Sequence, residues 1–154
     1  MGITSELIKE LREATGVSVM LCRKALLEAN GDRERARAIL ARASREVAAK
    51  KADRALAAGT VAVYLHHGGT VGTMVELSSE TDFVSGNAEF KTLAHDIAMQ
   101  VAAVHPETID ELLASPFIRE QSQTIQMQIE NATAKFGEKI AIARFARFGV
   151  GNKA

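Results

Sequence analysis

The chain has 154 residues, 47% hydrophobic and 25% charged, with 19 Lys and Arg balancing 19 Asp and Glu to a formal net charge of zero. This composition excludes a disordered chain, and no apolar run approaches the roughly 20 residues that a membrane helix requires. The single cysteine, Cys22, excludes an internal disulfide and any multi-cysteine zinc site.

The N-terminus has no signal-peptide core, so a cytoplasmic location is expected. Residues 1–60 hold 12 Lys and Arg against 8 Asp and Glu, and the remainder holds 7 against 11. Such a mild asymmetry fits two modules meeting different surfaces and falls short of a nucleic-acid footprint.

Thr4 or Ser5 caps a first helix in which Leu7, Ile8, Leu11 and Ala14 share a face, and Thr15-Gly16 ends it. A second helix starts at Ser18, buries Cys22, Ala25, Leu26 and Ala29, and stops at Asn30-Gly31. At 100° per residue Val19 lies at the edge of that stripe and Met20 almost opposite it, beside Leu27. Met20 is then either a stray exposed methionine or a partner contact suited to an adaptable thioether. Asp32 caps a third helix with Ala36, Ile39 and Leu40 inside. We therefore expect a helical module over residues 1–43 and a helical connector over 44–58, where alanine and long basic side chains favour helix.

An α+β core is expected over 59–154. Val61, Val63 and Leu65 alternate with polar or small neighbours, Gly68-Gly69 offers a turn, and Thr70 to Ser78 alternates again, which predicts a β-hairpin. His66 and His67, as adjacent strand residues, would face opposite ways and could not share a metal ion. Asn87 caps a helix built on Phe90, Leu93, Ala94, Ile97, Ala98 and Val101, with His95, Asp96 and Gln100 facing water. Thr108 and Glu111 mark a short helix by capping-box spacing, and Ser115-Pro116 opens a long one running through Ile118, Ser122, Ile125, Ile129, Ala132 and Phe136. Lys139 to Phe148 alternates as a third strand, with Ile140, Ile142, Ala146 and Phe148 on one face. The core is thus a three-stranded, mainly antiparallel sheet with helices packed on one face.

Between the second strand and the helix after it lies Glu80-Thr81-Asp82-Phe83-Val84. A carboxylate beside a large ring has two readings: Asp82 caps the turn while Phe83 folds onto the core, or the pair projects as a wedge. No catalytic constellation accompanies it. There is no Walker-type loop and no Gly-x-Ser-x-Gly elbow, and no nucleophile or metal-ligand set stands near Glu80 and Asp82. A binding or regulatory protein is favoured over an enzyme, with no cofactor.

Leu7 to Gly16, Cys22-Arg23-Lys24-Ala25-Leu26 and Glu28 to Asp32 together resemble the ubiquitin-associated-like module of the translation elongation factor Ts family. Val75-Glu76-Leu77 leading into Glu80 to Val84 resembles that family's signature, and Glu138 to Phe145 its closing strand. The resemblance implies a guanine-nucleotide exchange factor that binds elongation factor Tu. It implies that Val19 and Met20 touch the partner's GTPase domain. It implies also that Thr81, Asp82, Phe83 and Val84 intrude near the nucleotide and displace its magnesium ion. Leu21 departs from an expected acidic residue, and the stretch from Pro106 to Pro116 is shorter than in long members. Ala146 replaces a cysteine that bridges two copies in some short members, which leaves a non-covalent homodimer through the open sheet face. The other reading is an interaction module whose helices bind a partner while the core dimerises, and that reading tolerates loss of Asp82 and Phe83.

Overall fold

In the computed structural model, which describes residues 2–151, all five helix starts marked by a capping residue form as expected. The side chains of Thr4, Ser18, Asp32, Asn87 and Thr108 accept from the backbone N–H groups of Leu7, Leu21, Arg35, Glu89 and Glu111. Each answers one of the donors that a helix N-terminus leaves unpaired.

The chain divides into two units: residues up to Asp53 with Met127–Glu138, and Arg54–Gln126 with the residues from Lys139 on. The first unit contains α1 (Ser5–Thr15), α2 (Val19–Glu28) and α3 (Arg33–Lys50). Leu11, Val17, Cys22, Ala25, Leu26, Ala29, Ala36 and Leu40 form its buried cluster, with Ile3, Leu7, Ile8 and Ile39 packed against it. Gly16 ends α1 in the left-handed region, at a φ of 72°. The helix expected over 44–58 is the continuation of α3 and stops at Lys50; residues 54–57 are irregular and Ala58 already belongs to a strand. Alanine and basic residues suit a helix but supply no stop signal, so composition alone overran the end.

The second unit holds β1 (Ala58–Leu65), β2 (Val71–Ser79), α4 (Asp82–Ser85), α5 (Ala88–Val104), α6 (Ile109–Ala114), β3 (Pro116–Phe117), β4 (Glu120–Thr124) and β5 (Ala141–Gly149); α7 (Ile125–Phe136) begins in it. The main sheet has the order β1-β2-β5 and is antiparallel throughout. Helix α5 packs on β1 and β2 and buries Phe90, Ala94, Ile97, Ala98 and Val101 against Val75 and Leu77. Gly59 lets β1 approach closely, since a Cβ there would lie 2.7 Å from the Leu77 carbonyl oxygen. Among the described residues no helix is long and apolar enough to cross a membrane.

Three further expectations change. The long helix from Pro116 is a two-stranded ladder first, pairing Pro116 with Thr124 and Phe117 with Glu120, and only Ile125–Phe136 is helical. The cause is Gln100, which does not face water but is fully buried. Its amide donates to the Pro116 carbonyl at 2.8 Å and the Ser115 hydroxyl at 3.0 Å, and accepts from the Ile118 N–H at 3.0 Å. Those bonds hold the backbone in a non-helical path, and burial of an amide requires them. The alternation of β5 also breaks. A register shift between Glu76 and Leu77 leaves Ala143 as an extra residue opposite them, so Ile142 faces the core while Ala146 and Phe148 face out.

Candidate functional site

Central strand β2 leads straight into Glu80 and the single turn α4. Ser79 donates its hydroxyl to the Thr81 carbonyl at 3.0 Å, and the Ser85 N–H reaches the same oxygen at 3.2 Å. The Gly86 N–H closes on the Asp82 carbonyl at 2.9 Å. Val84 and Ser85 are buried at 4% and 6% exposure, whereas Phe83 is 89% exposed and Thr81 and Asp82 are exposed beside it. One side of the turn is thus anchored in the core and the other stands in solvent.

Of the two readings of Asp82-Phe83, the folded-back ring is the one the geometry rejects. The turn's N-cap is Thr81, which makes no side-chain capping bond, and Asp82 is the first helical residue. A carboxylate there is favoured by the peptide dipoles of the turn. A buried phenylalanine would stabilise folding by roughly 1.5–3 kcal/mol, and an exposed one forgoes nearly all of it. The ring therefore adds almost nothing to this chain's own core.

Glu80 is committed elsewhere. One carboxylate oxygen accepts from the Lys139 N–H at 2.8 Å, and the other accepts from an Arg54 guanidinium nitrogen at 3.3 Å. It is therefore not paired with Asp82 for acid–base chemistry.

A second exposed apolar set lies in the helical unit. Val19, Met20 and Leu27 are 52%, 80% and 57% exposed, while Cys22, Ala25 and Leu26 beneath them are fully buried. Leu21, at 37%, joins this surface. Burial pushes the Cys22 thiol above its usual range, partly offset by the Thr15 hydroxyl and the Arg12 charge, which keeps it a protonated core residue.

Sequence reasoning missed the open face of the sheet in its full extent. Val61, Val63, Leu65, Met74, Phe148 and Val150 are all at least half exposed. Val63, Met74 and Ala146 stand side by side across the three strands, and Leu65 and Phe148 flank Gly72. The alternation in β1 could have revealed most of it; Phe148 was hidden by the bulge. The ion pair of Glu76 with Arg144, at 3.1 Å, lies on the same face.

The histidines are closer than expected. His67 lies in a 3-10 turn rather than a strand, and its ring centroid is 5.5 Å from that of His66, which bonds the Tyr64 hydroxyl at 3.0 Å. Among the described residues no three His, Cys, Asp or Glu side chains are grouped to hold a metal ion.

Comparison with known proteins adds a family. A family model described as Elongation factor TS matches residues 80–154, starting at Glu80 itself. The elongation factor Ts of Desulforamulus reducens is 36% identical over 97% of this chain and 89% of its own length, and that of Carboxydothermus hydrogenoformans 38% over the same shares. The elongation factor Ts of Clostridium kluyveri is 40% identical over 96% of this chain and 48% of its own. The first alignment runs over 194 positions, more than the 154 residues of this chain, so at least 40 positions of that relative have no counterpart here.

Proposed function

The chain belongs to the elongation factor Ts family, whose members exchange nucleotide on elongation factor Tu without bond chemistry, and from that premise we propose how it acts. The helical unit docks on the GTPase domain through Val19 and Met20, with Leu21 and Leu27 widening the contact. Thr81, Asp82, Phe83 and Val84 carry the exchange step: Asp82 and Phe83 enter beside the bound nucleotide and dislodge its magnesium ion, while Thr81 and Val84 set the turn from which they project. The observation that supports this reading best is the 89% exposure of Phe83 on a turn anchored by buried Val84.

The driving force is linkage. Magnesium compensates the charge of the GDP phosphates, so moving the ion weakens the hold on the nucleotide. Whatever lowers nucleotide affinity must itself bind less tightly once nucleotide returns, and the factor leaves by the same coupling. A carboxylate on an exposed turn competes for the cation or its ligands, and an exposed ring has apolar surface to bury only when a partner supplies a cleft. This work needs neither cofactor nor nucleic acid nor membrane, and its place is the cytoplasm.

The open face of the sheet favours a second step in the reading: two copies cover each other there as a non-covalent homodimer. An apolar patch of this breadth on a three-stranded sheet wants cover, and a chain of zero net charge meets its copy without repulsion.

Release of a fluorescent GDP analogue from elongation factor Tu tests the exchange step. The protein should accelerate release, and a folded Asp82→Ala, Phe83→Ala double variant should lose most of that acceleration. Equal acceleration by both proteins would remove the wedge from the mechanism.

A further inference from the structure

Glu80 has no part in the reading above, yet its side chain is tied down at the junction. Its side chain is only 16% exposed, and both oxygens are engaged. Arg54, four residues before β1 begins, binds one; the backbone N–H of Lys139, two residues before β5 begins, binds the other. β2 is the central strand, and both neighbours run antiparallel to it, so the starts of β1 and β5 lie beside its end. One carboxylate thus joins the starts of both flanking strands to the end of the central one. The ladder of β5 with β2 reaches only as far as Ser78 and Ala141, so the Lys139 N–H lies beyond the strand pairing and the carboxylate answers it.

We infer that Glu80 is a positioning residue for exchange: by clasping the three strand ends it sets the direction in which Asp82 and Phe83 leave the sheet. The inference rests on the wedge reading proposed above. Its physical content is rigidity. Thr81 to Phe83 follow Glu80 without a break, and Val84 anchors only the far side of the turn. Removing the clasp loosens the near side, where the Ser79 hydroxyl still holds the Thr81 carbonyl, so the ring and carboxylate sample directions unsuited to a narrow cleft. A charge-assisted acceptor also suits two donors better than a neutral one, since glutamine accepts from the Lys139 N–H but holds the Arg54 guanidinium weakly.

The test uses the full chain with elongation factor Tu·GDP and a fluorescent GDP analogue, titrated to saturation, together with amide hydrogen exchange on the free protein. For Glu80→Ala the maximal release rate should fall about tenfold, because a small misplacement of reacting groups is costly. The concentration giving half the maximal rate should stay within about twofold, since the docking surface is untouched. Glu80→Gln and Arg54→Gln should lie between it and the wild type. Amides of Ser85 and Gly86 should exchange faster in Glu80→Ala, while those of Val75 in the centre of β2 keep their protection. A wild-type maximal rate in folded Glu80→Ala, a loss expressed only in the half-saturating concentration, or unchanged exchange at Ser85 and Gly86 would each overturn the inference. Should Glu80→Ala not fold, Glu80→Gln and Arg54→Gln decide by the same measures. If the Asp82→Ala, Phe83→Ala variant releases GDP as fast as wild type, the wedge reading has failed and with it the exchange role of Glu80. Faster exchange at Ser85 and Gly86 would then leave the clasp standing as a feature of the fold alone.

Discussion

Phe83 and Val84 are consecutive on one helical turn and opposite in environment, 89% and 4% exposed. Stability and exchange should separate at this pair. Phe83→Ala should leave the unfolding free energy within about 0.5 kcal/mol of wild type while abolishing most of the acceleration of GDP release. Val84→Ala should cost about 1–3 kcal/mol by removing buried methyl groups. Urea unfolding of both variants checks this, and a Phe83 variant that unfolds early would place its ring in the core after all.

Met20, 80% exposed, should act on docking alone. Met20→Asp places a charge in the apolar contact, and the factor concentration for half-maximal exchange should rise about tenfold or more, a loss of about 1.4 kcal/mol in binding. The maximal rate should hold. A titration of exchange rate against factor concentration separates the two quantities.

The sheet face should control assembly. Wild-type protein should sediment as a dimer, and Met74→Glu with Phe148→Glu should sediment as a monomer. Both side chains are exposed in the single chain, so the fold should survive, as circular dichroism would report. A monomeric wild type across the micromolar range would remove the second copy.

Gln100 should matter more than most core residues. Gln100→Leu strands the Pro116 carbonyl and the Ile118 N–H, and each unsatisfied buried group costs about 1–3 kcal/mol. The loss should exceed that of an ordinary amide deletion and should loosen the β3–β4 ladder first, which hydrogen exchange at Thr124 would detect.

Asp96 sets a pH dependence. Burial pushes its carboxyl above the usual range, and the charges of Arg119, 3.4 Å away, and His95 pull it only part of the way back. A raised carboxyl pKa means that the folded state holds the proton more tightly than the unfolded chain. Its contribution to stability is therefore complete below the unfolded value of about 4 and lost as pH rises through the folded value. Compared with Asp96→Asn, the wild type should lose thermal stability over that interval and run parallel to the variant at higher pH.

Much of the fold could be read from the chain because the informative signals are local. A cap such as Asn87 and a stop such as Gly16 act within a few residues of themselves, and alternation in Val61, Val63 and Leu65 is visible without knowing the partner strand. What escaped reading was decided by partners distant in sequence. Gln100 looks like a surface amide until Pro116 and Ile118 arrive beside it. Ala143 looks like one more alternating residue until β2 imposes a register that leaves it over. The composition of Asp82-Phe83 marked the candidate site, but its projection depends on Val84 finding a place under the sheet, which no local pattern contains.

The strand order also sets the sequence of events in folding. Leu65 and Gly72 meet across 6 intervening residues, whereas Ser78 and Ala141 must meet across 62. Loop-closure entropy makes the second pairing costlier by about 2 kcal/mol, so the hairpin registers first and β5 arrives last. Until it does, the far edge of β2 is an unpaired apolar strand, the kind of surface on which nascent chains stick to one another. The clasp at Glu80 closes only with that final pairing, and pulse-labelled amides should gain protection in β1 before β5.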